Sequence, residues 1–269
     1  MMHPVRKGFT VILSLLLGFA FVQIAGSYLI TQLSQNAGIL YEVPAAEQTS
    51  RQMVLQLEPV EYYTIQLGVC ENVKEAQEKI DRMAQHGYRV IVSDGPPYSI
   101  WLGCFGSRPD VSSLPGEIKN GSPDLFVQKK ILNEQTLKFS ADDSFVMERL
   151  AALISSYDVV LKHSLQMFQD YRYELCSDEN WNAMTEQIIE ELHVISTSAE
   201  MLLDQEIKKS AADQIKQMEI LTEAYERSLY QIREKKNDRA VWIAQSCLHE
   251  LIAGYHAFML DESSNKINL

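Results

Sequence analysis

Tyr62-Tyr63-Thr64-Ile65-Gln66-Leu67-Gly68-Val69 and, further along, Tyr98-Ser99-Ile100-Trp101-Leu102-Gly103-Cys104-Phe105 decide how the rest of the chain is read. Each opens on aromatics, alternates, and carries a glycine near its end. In the first, Tyr63, Ile65, Leu67 and Val69 alternate with Thr64, Gln66 and Gly68, the period of a strand with one buried face. Val73, Ala76, Ile80 and Met83 then fall at helical spacing. Asn72 is placed to cap that helix and Gly87 to stop it. Tyr88–Val92 reads as a second strand, and Gly95-Pro96-Pro97 turns the chain into Tyr98–Phe105. Pro109 and Pro115 leave the next helix little more than one turn. Asp124–Ile131 closes as a fourth strand. The predicted order is βαββαβ, an α+β, ferredoxin-like or RNP-like unit: a four-stranded antiparallel sheet, helices on one side, the other side open.

Tyr63-Thr64-Ile65-Gln66-Leu67-Gly68, the helix ending His86-Gly87-Tyr88, Tyr98–Phe105 and the closing Phe126-Val127 together resemble the SPOR domain, the sporulation-related repeat of bacterial envelope proteins. The resemblance spans residues 60–131. It implies a non-catalytic module that binds peptidoglycan, with a preference for glycan strands stripped of stem peptides. This sequence departs from that pattern at Cys70, at Cys104 and in the shortened second helix. On the sheet, Ile65, Leu67, Ile100 and Leu102 are predicted to face the helices. Tyr62, Thr64, Gln66, Ser99 and Trp101 would face the other way. Aromatics beside amides and hydroxyls suit a sugar chain, which needs flat apolar platforms and hydrogen-bond partners. These five are the candidate glycan-binding residues. The competing reading is that another part of the chain covers Trp101.

The chain has 269 residues and a formal net charge of −12. That acidity disfavours nucleic acid, which selects basic surfaces, although the βαββαβ order also occurs in RNA-binding modules. Residues 1–7 include Arg6 and Lys7, and Gly8–Ile30 is apolar and long enough to span a bilayer. The positive-inside rule then puts the N-terminus in the cytoplasm and the bulk outside, as a single-pass cell-membrane protein. The alternative is a cleaved signal peptide, with Ala25-Gly26-Ser27 as its cut site. Residues 31–59 read as a linker, with a short helix around Ser50–Leu57.

Residues 140–262 read as an antiparallel helical bundle. Its stripes are Leu150, Leu153, Tyr157, Val160, Leu161, Phe168 and Tyr171; then Trp181, Met184, Ile188, Leu192, Ile195, Ala199 and Leu202. Ile215, Met218, Leu221, Tyr225, Leu229 and Ile232 follow, and last Ala244, Leu248, Leu251, Tyr255 and Phe258. Ser177 and Asp238 are the predicted caps of the second and fourth helices. The join near Glu206–Ser210 leaves open whether the second and third helices are one. The bundle's core is expected to be separate from the sheet's.

No enzyme chemistry is legible: there is no phosphate loop and no nucleophile elbow. His249 and His256 are seven residues apart, about 10 Å along a helix, too far to share one metal ion. No metal site and no cofactor are expected. Cys70 and Cys104 should lie at opposite ends of neighbouring strands, too far apart for a disulfide. Cys176 and Cys247 either meet in the bundle or stay free. Two functions follow as expectations. One is peptidoglycan binding that holds a membrane-anchored protein at sites of septal wall remodelling, with sporulation as one setting. The other is a scaffold that binds a protein partner through the bundle, the sheet being a spacer.

Overall fold

The computed structural model describes residues 52–268, apart from 94, 123–124, 141–143, 170–176, 206, 208, 236 and 264–266. Gly8–Ile30, Tyr171 and Cys176 lie outside the described residues. Among the described residues no helix is long and apolar enough to cross a membrane. In chain order the elements are β1 (Gln52–Leu57), β2 (Val60–Cys70), α1 (Val73–Gln85), β3 (Ile91–Val92), β4 (Tyr98–Phe105), α2 (Gly116–Gly121), β5 (Phe126–Leu132) and β6 (Gln135–Ser140). Four long helices follow, α3 (Ser144–Met167), α4 (Asp178–Leu203), α5 (Lys209–Glu234) and α6 (Asp238–Ser263), then β7 (Ile267–Asn268).

The fold is α+β: a four-stranded antiparallel sheet in the order β3-β4-β2-β5, with helices C-terminal to it. Ile65, Leu67, Ile100 and Leu102 face α1 and α2, packing with Ala76, Met83, Leu114 and Ile118. Burying each such aliphatic side chain contributes about 1.5–3 kcal/mol. Asn72 caps α1 as its spacing predicts. Its Oδ1 accepts from the Glu75 amide at 3.0 Å, and the Glu75 carboxylate accepts from the Glu71 amide and the Asn72 side chain. Gly87 ends the helix at φ +83°, a left-handed turn that glycine makes without strain. The two prolines do curtail the second helix, leaving a short 3-10 turn at Val111–Ser113 and the six residues of α2 after Pro115.

Three expectations about the sheet and its surroundings are corrected. The stretch before the sheet is not a helix: β1 pairs antiparallel with β6, and β7 adds to β6 in parallel. Leu57 faces Gln135 and Val60 faces Leu132, three residues on in each strand. The register therefore runs unbroken from β1–β6 into β2–β5. Glu58-Pro59 interrupts the ladder, because proline has no N–H to donate. It also changes which residues point inward, from Leu55 and Leu57 to Val60 and Tyr62, all four buried in the bundle's core with Leu137. Strand β3 is two residues, not five. The Arg89 carbonyl, rather than pairing in the sheet, accepts from Ser246 Oγ of α6 at 2.6 Å.

The third correction is the largest. The second face of the sheet is not open throughout, and the two cores are not separate. α6 lies against β3 and β4. Trp242 is buried with the layer beneath α1, edge-on to Tyr88 and Phe105 with ring centroids 6.0 and 5.8 Å apart. Conversely Tyr62 and Cys104 from the sheet belong to the bundle's core. Gly103, at φ +67°, lets this happen: a Cβ there would stand 2.9 Å from the Phe105 ring and 3.2 Å from Trp242.

The bundle follows its predicted stripes. α4 and α5 are separate helices, and Ser177 caps α4 by accepting from the Asn180 amide. The cap of α6 is Asn237, one residue before the predicted Asp238; its Oδ1 accepts from the Ala240 amide at 2.9 Å.

Candidate functional site

Directly opposed residues in a sheet share a face. Ile91 is opposite Trp101, Trp101 is opposite Gln66, and Gln66 is opposite Phe126. These four form one row straight across the sheet, on the side away from α1. Trp101 and Ile91 are half-buried, Phe126 is 48 % exposed, and Gln66 is buried between its two aromatic neighbours in the row. Lys130 lies further along β5 on the same face and holds its ammonium 4.3 Å from the centre of the Trp101 ring. Such a cation over an indole face is electrostatically attracted to it. Partial burial lowers the Lys130 pKa from the ordinary lysine value.

The five sequence-predicted residues do share this face, but they divide between two environments. Ser99 and Trp101 are half-buried, with Ser99 opposite the exposed Val69. Tyr62, Thr64 and Gln66 are 7 %, 0 % and 5 % exposed. Thr64 spends its hydroxyl on the Gly103 carbonyl at 2.9 Å, across the strand. Tyr62 meets the His249 ring of α6 edge-on, centroids 5.8 Å apart. The exposed part of the face is therefore the end at Trp101 and Phe126.

At the covered end the contacts are polar. Glu250 pairs with the Arg89 guanidinium, Ser246 bonds the Arg89 carbonyl, and Arg89 also approaches the Cys247 sulfur at 3.7 Å. His249 is buried, and its pKa is pushed down to about 4 by burial and by Lys130. Cys70, Cys104 and Cys247 are free buried thiols. Cys70 stands opposite Tyr98 while Cys104 neighbours Phe105 at the other end of β4. Burial raises the pKa of Cys104 and of Cys247, which disfavours the nucleophilic thiolate.

Phe126, Lys130 and Ile91 complete the row and its rim, yet sequence reading did not single them out as site residues. The signal for Phe126 was the strand order: a closing strand beside the first puts it opposite Gln66. Lys130 needed the register itself. Chemically, the open end offers two flat apolar rings on either side of the buried Gln66 carboxamide, and a cation at the rim. That set suits a neutral or anionic ligand with flat C–H faces and many hydroxyl or amide groups. No family model, no curated protein and no solved structure matches this chain.

Proposed function

We propose that the chain binds peptidoglycan glycan strands, without catalysis, through the Trp101–Gln66–Phe126 end of its sheet. The observation that carries this reading is that row, a platform of two aromatics with an amide between and Lys130 above. The SPOR resemblance of residues 60–131 supports it, as does the β3-β4-β2-β5 order of a βαββαβ unit. The test is co-sedimentation of the chain with peptide-stripped cell-wall sacculi. Trp101→Ala and Phe126→Ala should each weaken binding several-fold to a hundredfold, since losing a well-packed aromatic contact costs ~1–3 kcal/mol. Circular dichroism should stay unchanged, because both side chains are partly exposed. Undiminished binding by the double variant would remove the platform from consideration.

The proposed setting is a single-pass membrane protein held by Gly8–Ile30, with the bulk of the chain outside. An anchor, a SPOR-like sheet and a helical tail, in that order, resemble membrane-anchored stage II sporulation proteins of the B type, which would place it at a remodelling septum. Protease added to intact protoplasts should digest the bulk of the chain, and full protection would reverse the orientation.

A second reading has its own observation. Tyr62 and Thr64 lie in the covered part of the face, as expected if the sheet braces the bundle and the bundle docks a protein partner. Failure of the wild-type chain to bind sacculi would favour it.

A further inference from the structure

Lys129 and Lys130 follow one another in β5, so they lie on opposite faces of the sheet. Their surroundings differ. On the α1 side, opposite Tyr63, the Lys129 ammonium is paired with Glu61 at 2.8 Å. On the other side Lys130 is half-buried and lies against the Trp101 ring, with no carboxylate at ion-pair distance among the described residues. The chain has 36 acidic side chains against 24 basic ones, so an acid is the commoner neighbour for a lysine, and here none is supplied. Burial lowers the Lys130 pKa and no acid offsets it. The other cation on this side, Arg89, is already bound to Glu250. His249, its pKa pushed down to about 4, is neutral near pH 7. The Trp101 end of the face therefore carries one unneutralised positive charge, partly withdrawn from water.

A cation in that position gains more from an anion than one in bulk water does, because the local dielectric is lower. Its contact with the indole is the weaker of two options: a charge-assisted hydrogen bond to a carboxylate is stronger. The lysine stem is flexible and carries three donors, so Nζ can follow a carboxylate placed beside the ring without any change in the backbone. In a peptidoglycan strand each muramic acid carries a lactyl carboxyl group. Joined to a stem peptide, that group is an uncharged amide, and the peptide's own charges lie further from the sugar. With the peptide removed it is a free carboxylate. We infer that Lys130 is the specificity-determining residue of the sheet face, its ammonium taking the lactyl carboxylate of a muramic acid held at Trp101. The inference rests on the glycan-binding reading above. It makes selection of stripped strands a matter of charge rather than of room for the peptide.

The test separates charge from size. Peptide-stripped sacculi are compared with the same sacculi after carbodiimide coupling to methylamine, which turns each lactyl carboxylate into a small neutral amide. Co-sedimentation of the full-length chain in detergent should show binding about tenfold tighter to the untreated sacculi, the scale of one charge-assisted hydrogen bond. Lys130→Met keeps an apolar stem against Trp101 and removes the charge. It should bind both preparations equally, at the level of the wild type on the methylamide. Lys130→Gln gives the same test if the methionine variant does not fold, and Lys130→Arg should keep the preference. Added salt should weaken the wild type on untreated sacculi and leave Lys130→Met unaffected. Equal wild-type binding to both preparations, weakened on both by Trp101→Ala, would overturn the role of Lys130 and keep the glycan platform. A preference kept by Lys130→Met and Lys130→Gln would also overturn it. No binding of the wild type to either preparation would refute the glycan reading itself.

Discussion

His249 couples the stability of the protein to pH through a single imidazole. Its folded pKa, about 4, is below the unfolded value near 6.5. A group depressed in this way contributes stability that is complete above 6.5 and is lost as pH falls towards the folded value. The full loss is about 3 kcal/mol, reached near pH 4. His163 works in the opposite sense: a 2.7 Å hydrogen bond to Glu191 raises its pKa, so its contribution is present in acid and fades as pH rises. That pair is partly exposed and screened by solvent, so it offsets little. Urea denaturation from pH 7.5 to 4.5 should therefore show a steeper acid decline in the wild type than in His249→Gln. Parallel curves would mean that His249 is hydrated in the folded protein.

Among the elements, α6 determines how the others fit. Trp242→Ala should cost about 3–5 kcal/mol, the range for deleting a large buried aromatic. The loss should appear in the sheet as well as the bundle, read as faster amide exchange in β4. Exchange confined to the helices would show that the sheet does not need this side chain. The strands and helices were largely legible because their signals are local: period two in β2 and β4, period three to four in α3 to α6, caps at Asn72 and Ser177. The misreadings had non-local causes. β1 and β6 stabilise each other from opposite ends of the sheet unit, and neither stretch alternates strongly by itself. β3 lost residues because Ser246, far along the chain, takes the Arg89 carbonyl. The position of α6 was the one misreading with a local clue. Between Arg239 and Glu250 it has no charge apart from His249 when protonated, so it is apolar beyond its Leu248–Leu251 seam, and a helix of that kind needs cover on more than one side. Its seam alone suggested an ordinary bundle helix and left the sheet face open.

Sheet and bundle exchange side chains between their two cores, Trp242 of α6 filling the layer beneath α1 and Tyr62 and Cys104 filling the bundle's, so they should unfold as one. Calorimetry should give a single transition for sheet and bundle together. Leu251→Asp, which buries a charge in the middle of α6, should lower the entire transition by several kcal/mol, with no sheet unit surviving it. Two resolved steps, one unaffected by the substitution, would restore the picture of independent cores. The exchange of side chains also bears on biosynthesis. The sheet unit is complete in sequence at Leu132, yet Trp242, which fills its core, follows only after three further helices. At elongation rates of about 5–20 residues per second, the nascent sheet waits roughly 5–20 s with Tyr88, Phe105 and Cys104 uncovered. The sheet unit cannot finish folding behind the ribosome until α6 has emerged.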